Sequence, residues 1–162
     1  TWNEAMSGAG VMVDDQEVTT NNTVVTFNTA TSLYGGGLYM TGGTVILQES
    51  DIYGNEANAS GAGMQITYGE LIAYDSRIYD NYGDGATVLY GDLHFEGSVS
   101  DFSGFYGNDD YGIALNASGT VYFWHADFGT GTDINGSGAV SINGTVYDYE
   151  DDESDSCDLT GC

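Results

Sequence analysis

The chain has 162 residues, with 25 Asp and Glu against a single Arg and no Lys, and a formal net charge of −24. That balance excludes nucleic acid as a partner, because binding it requires cationic neutralisation of phosphates. It excludes anionic membrane surfaces for the same reason. The length fits one domain.

The chain starts at Thr1-Trp2 without an initiator Met and reads as a mature, processed product. No apolar run is long enough to cross a bilayer as a helix. From Gly8 onward one pattern repeats. A Gly opens each unit: Gly10, Gly37, Gly63, Gly85, Gly112 and Gly138, at spacings of 27, 26, 22, 27 and 26 residues. One and three positions later stand Val11 and Val13, Leu38 and Met40, Met64 and Ile66, Ala86 and Val88, Ile113 and Leu115, then Ala139 and Ser141. A turn glycine follows at Gly43, Gly69, Gly91, Gly119 and Gly144. A second alternating pair comes next: Val18 and Thr20, Val45 and Leu47, Leu71 and Ala73, Leu93 and Phe95, Val121 and Phe123, Val146 and Asp148. A third apolar residue precedes a closing Asn, which is Asn28, Asn55 and Asn81 in the first three units, each 18 residues after its Gly. The fourth unit closes late, at Asn108, and so carries about five extra residues. The fifth has Gly131 where Asn is expected, and the sixth runs out into acid.

Each apolar run is too short for an ordinary helix, and each alternates with period two between Gly, Asn and Asp. No Pro interrupts a strand. Three short strands per unit at fixed phase describe one coil of a parallel β-helix, with successive coils stacked at about 4.8 Å. The expected architecture is therefore all-β, a β-solenoid of about six coils over residues 1–150, followed by an acidic Cys-containing tail over 151–162. The Val, Leu, Ile, Met and Phe ladders point inward. The Gly and Asn ladders are expected at corners, where the backbone needs a positive φ that Asn tolerates better than most residues. Asn side chains can also bond one another along the stack. Tyr39, Tyr53, Tyr79 and Tyr122 flank inward positions and so are expected outside or on turns.

Gly35-Gly36-Gly37-Leu38-Tyr39, with Ile52-Tyr53-Gly54-Asn55, Ile78-Tyr79-Asp80-Asn81 and Phe105-Tyr106-Gly107-Asn108, resembles the paired short motifs of polymorphic outer-membrane-protein repeats. More broadly, residues 8 to about 150 resemble right-handed parallel β-helices of the pectate-lyase type. Ile replaces Phe in two copies of the motif, and the fifth copy lacks its Asn. The resemblance implies the right hand of the coil and a secreted or surface-displayed solenoid, commonly an adhesin. It also implies that many relatives act on polysaccharides.

Candidate chemistry is sparse. The lyases of this fold use a cationic base with Ca²⁺. Arg77 is the one Arg, and at its outward strand position it reads as a surface ion pair. The hydrolases use carboxylates with a His. His94 alternates with Leu93 and Phe95 and points outward, and His125 sits near Asp127, so the two need not share a face. With 25 acids, paired carboxylates decide nothing. No catalytic residues and no certain cofactor are assigned. Calcium remains a candidate through the acidic tail (Asp151, Asp152, Glu153, Asp155, Asp158), whose oxygens suit that ion without matching an EF-hand loop. Asn108-Asp109-Asp110 is a further carboxylate cluster. Five glycosylation sequons occur, at Asn21, Asn58, Asn116, Asn135 and Asn143, of which Asn58, Asn116 and Asn143 fall on expected turns. Cys157 and Cys162 can close a small disulfide loop, pair with a neighbouring subunit, or belong to a larger region that has been removed. Thr residues cluster in the first coil but do not recur in phase, so a flat ice-binding face is not expected.

The reading that follows is a non-enzymatic extracellular or cell-surface structural and adhesive β-solenoid. Its expected partners are copies of itself, stacked head to tail into a fibre, or host and surface glycans. The alternative is a carbohydrate-binding or polysaccharide-degrading β-helix module, with outward Tyr ladders stacking on sugar.

Overall fold

The computed structural model describes residues 2–32, 34–97, 103–115, 118–129, 132–136 and 139–148, with side chains described to residue 124. All its regular structure is strand, and every pairing between strands is parallel. The chain winds as a β-solenoid with three faces. The first face carries Val11–Val13, Leu38–Met40, Met64–Ile66, Ala86–Val88, Tyr111–Leu115 and Thr132–Gly136. The second carries Gln16–Asn21, Gly43–Gln48, Glu70–Tyr74, Asp92–Glu96, Thr120–Gly129 and Ala139–Asp148. The third carries Val24–Thr26, Asp51–Tyr53, Arg77–Tyr79 and Gly104–Tyr106. A small fourth sheet, Glu4–Ala5, Thr29–Ala30 and Glu56–Ala57, follows the third face.

The expected ladders stand in register through the fifth coil on the first two faces and through the fourth on the third. Leu38 pairs with Val11 and Met64, and Met64 pairs in turn with Ala86. Val45 pairs with Val18 and Leu71, and Ile78 with Ile52 and Phe105. The inward residues form one continuous core in which Met40, Ile66, Leu71, Leu93, Phe95 and Phe105 are wholly buried. Ring packing adds to it, with Phe95 and Phe105 centroids 5.1 Å apart. Burial of this apolar area, coil on coil, is the main term holding the rod together.

The coil count differs from the expected six. The third face has four strands, so about four turns are complete. The earlier turns bend from second to third face on Glu49-Ser50 and Asp75-Ser76, whereas His125-Ala126 occupies that place in the fifth. There the strand crosses the corner with a register shift between Trp124 and Ala126. The sixth unit is also out of the expected phase. Ile134 pairs with Ile113, and Val140 and Ile142 pair with Val121 and Phe123. Ala139 and Ser141 therefore belong to the second face instead of the first. The phase is lost within the fifth coil, which is short: Ile134 lies 21 residues after Ile113, where Ile113 lies 27 after Ala86.

The corners correct a second expectation. Asn28, Asn55 and Asn81 are buried, but none has a positive φ. The left-handed residue is the one before each: Phe27 (φ 55°), Gly54 (61°), Asp80 (50°) and, before Asn108, Gly107 (63°). That twist turns the Asn side chain into the interior, where it replaces the missing strand hydrogen bonds. Asn55 Oδ1 accepts from Asn28 N and Nδ2 (3.1 and 2.9 Å), and Asn55 Nδ2 donates to the Val25 and Tyr53 carbonyls (both 3.0 Å). The opening glycines are required by space, not by φ. A Cβ on Gly37 would overlap the Gly63 carbonyl and stand 2.9 Å from Asn55 Nδ2. The corner between second and third faces repeats the device with serine. Left-handed Asn22, Glu49 and Asp75 precede Thr23, Ser50 and Ser76, and the Ser50 amide donates to Ser76 Oγ at 3.1 Å. At the remaining corner Gly43 (83°) and Gly69 (90°) do supply the positive φ.

Candidate binding cleft

Each closing Asn points inward, so its two chain neighbours point outward, and both positions stack into ladders. The Asn ladder begins one coil earlier than the sequence pattern suggested. The Asn3 amide and Nδ2 donate to Asn28 Oδ1 (3.1 and 2.9 Å). The ladder before the Asn is therefore Trp2, Phe27, Gly54, Asp80 and Gly107. The ladder after it is Glu4, Thr29, Glu56 and Tyr82, in continuous parallel register.

Between these two ladders lies an open cleft of about 430 Å³, lined by Trp2, Phe27, Thr29, Gly54, Glu56 and Tyr82. Gly54 makes it possible. A side chain at that step would occupy the space that the Phe27 ring fills, since a Gly54 Cβ would stand 2.8 Å from Phe27 Cε1. Phe27 also meets Tyr53 edge to face, with centroids 5.7 Å apart and planes at 79°. Trp2, Phe27 and Tyr82 keep 75%, 54% and 58% of their surface in solvent. Three large rings exposed around one concavity are unusual for surface aromatics and make it the candidate binding site. The Glu56 carboxylate and Thr29 hydroxyl add polar groups on one wall. Sequence reading missed this site. Its signal was the Asn3 position, 25 residues before Asn28, with the aromatic residues that flank the Asn ladder.

The outward Tyr ladder does not offer sugar-stacking faces as expected. Tyr53, Tyr79 and Tyr106 stack on one another at 4.9 and 5.2 Å, with planes within 17° and 14°. Their faces are occupied by their neighbours, so the ladder presents edges to solvent. Tyr68 and Tyr90 form a similar pair at 5.3 Å.

Arg77 lies beside that ladder. It forms a two-pronged ion pair with Asp51, both contacts 2.7 Å, and its guanidinium sits 5.7 Å from the Tyr79 ring centre. The hydrogen bond to Asp51 raises its already high pKa, against the opposing effect of burial. Burial, with the Asp51 charge, pushes the Tyr79 hydroxyl up. His94 is on the second face, stacked on Tyr122 at 4.4 Å, with Nε2 3.3 Å from Glu70 Oε1. Arg77 and His94 thus occupy different faces, and the side chain of His125 lies outside those described. Asp84 sits over the first face, where Thr87 Oγ1 donates to its Oδ2 at 2.9 Å. Burial raises its pKa, the Thr87 hydrogen bond opposes that, and the Asp110 charge adds to it.

Among the described residues no three His, Cys, Asp or Glu converge as metal ligands. The tail acids Asp151, Asp152, Glu153, Asp155 and Asp158, with Cys157 and Cys162, lie outside the described residues. Among the sequons, Asn21 and Asn58 are exposed, and Asn58 Nδ2 bonds the Thr31 carbonyl. Asn143 corrects an expectation, since it stands within the strand Ala139–Asp148 opposite Trp124 instead of on a turn. Asn135 is likewise in a strand, and Asn116 lies outside the described residues.

A family model described as a right-handed β-helix region matches residues 3–128. No curated protein and no solved structure matches the chain.

Proposed function

The chain belongs to the right-handed β-helix family, and from that premise we propose that it is a non-enzymatic, extracellular adhesive solenoid that binds surface glycans. The observation that carries this reading is the cleft of Trp2, Phe27 and Tyr82 with Glu56 and Thr29 on its wall. Aromatic rings with a few polar groups are the usual lining of a small-ligand site, and the stacked coils hold them on a rigid frame. Arg77 is committed to Asp51 and is on another face from His94, which supports binding over catalysis. The sequons and acidic surface support placement outside the cell. The test is retention on a panel of immobilised surface polysaccharides. The wild-type chain is expected to be retained by at least one, Tyr82→Ala to be lost from it, and no new reducing ends to form. Equal retention of both proteins overturns the cleft reading, and release of reducing ends overturns the non-enzymatic one.

A second reading, assembly into a fibre, rests on the first coil. Among the described residues its strands Val11–Val13, Gln16–Asn21 and Val24–Thr26 pair on one side only. Met12 and Val24 there are 59% and 51% exposed. Such an edge takes a further coil, and a second copy adding one head to tail gives a filament. Electron microscopy in salt and calcium decides it: fibres support assembly, and single monodisperse rods contradict it.

A further inference from the structure

On the reading that this cleft is the recognition site, we infer that the group it takes is an organic cation, a substituted ammonium carried by the glycan, in preference to a neutral sugar ring. The faces of aromatic rings carry negative potential and attract cations. Trp2, Phe27 and Tyr82 present three such rings around one concavity, with the Glu56 carboxylate beside them. Glu4 lies two strands along the same outward row. No Lys exists in the chain to neutralise these acids, and the one Arg is bound to Asp51. The net charge of −24 draws cations to the surface and repels anions. A metal ion suits the cleft poorly, because Ca²⁺ requires six to eight oxygen ligands. The lining side chains offer one carboxylate, the Thr29 and Tyr82 hydroxyls and three aromatic groups, too few oxygens for that ion. The cleft volume, about 430 Å³, is in the range of small-ligand sites.

The test titrates choline chloride and its uncharged carbon isostere, 3,3-dimethylbutan-1-ol, into the full chain carrying Trp124→Phe, where Trp2 is the remaining tryptophan. Choline is expected to change Trp2 fluorescence saturably, with the isostere binding about tenfold more weakly. Glu56→Gln is expected to weaken choline by roughly fivefold, and added salt to weaken it further. Saturation-transfer NMR with choline reads the same binding on the unsubstituted chain. Equal binding of choline and isostere, or no choline binding by either method, overturns the inference. A neutral oligosaccharide that binds in place of choline leaves the glycan cleft standing while the cation assignment falls. If nothing binds there, both fall.

Discussion

Replacing Asn55 with Ala tests whether the buried Asn ladder holds the coils in register. Asn55 is fully buried, and its Oδ1 accepts from the amide and side chain of Asn28, itself only 1% exposed. Its Nδ2 donates to the Val25 and Tyr53 carbonyls and to Asn81 Oδ1 (3.0, 3.0 and 3.1 Å). Truncation leaves the Asn28 backbone and side-chain N–H groups and the Val25 and Tyr53 carbonyls without these partners. Each orphaned group costs about 1–3 kcal/mol, so a loss of about 3–5 kcal/mol is expected where some groups relax. With a urea m-value of about 2 kcal/mol/M, the midpoint should fall by roughly 2 M. Exposed Asn21→Ala is the reference and should stay within about 0.5 kcal/mol of wild type. Asn55→Asp separates chemistry from shape. It keeps the acceptor but puts a charged oxygen against two carbonyls, so it should be unstable at neutral pH and recover as acid restores a donor. If Asn55→Ala costs no more than Asn21→Ala, the ladder is ornamental and the account of the corner is wrong.

Gly37→Ala should destabilise by several kcal/mol despite an ordinary φ, because its Cβ overlaps the Gly63 carbonyl; urea midpoints read this directly. Arg77→Met should cost less than about 1 kcal/mol in the same assay, since the Arg77 and Asp51 side chains are 47% and 19% exposed and surface pairs are screened. Burial raises the Asp84 pKa, so the folded state holds its proton more tightly than the unfolded chain. Its contribution is therefore present at acid pH and lost as pH rises through the folded value. Asp84→Asn should flatten that part of the stability–pH profile, and an unchanged slope would contradict the assignment. Sodium chloride should raise the melting temperature by screening the −24 charge; a fall would show that self-repulsion is not limiting.

The strand faces were legible because alternation reports inward positions directly: the tiers of Leu38 and Val45 hold their phase through five coils and that of Ile52 through four. The corners were less so. Residue preference alone assigns the positive φ to Asn, yet Phe27, Glu49 and Asp75 take the strained conformation so that the next polar side chain can turn inward. Tertiary hydrogen bonds outweigh local preference there. The register of the sixth coil depended on the length of the fifth, which alternation does not encode. The cleft was illegible for a related reason. Trp2, Phe27 and Tyr82 lie far apart in sequence and meet only once Asn3 is placed on the ladder.

The most direct test of the central claim is amide NMR of the labelled chain titrated with whichever surface glycan retains it. Perturbations confined to the amides of Trp2, Phe27, Thr29, Gly54, Glu56 and Tyr82 are the predicted result. Perturbations centred on Tyr79 and Tyr106, with the cleft silent, would place recognition on the stacked tyrosines and contradict the account.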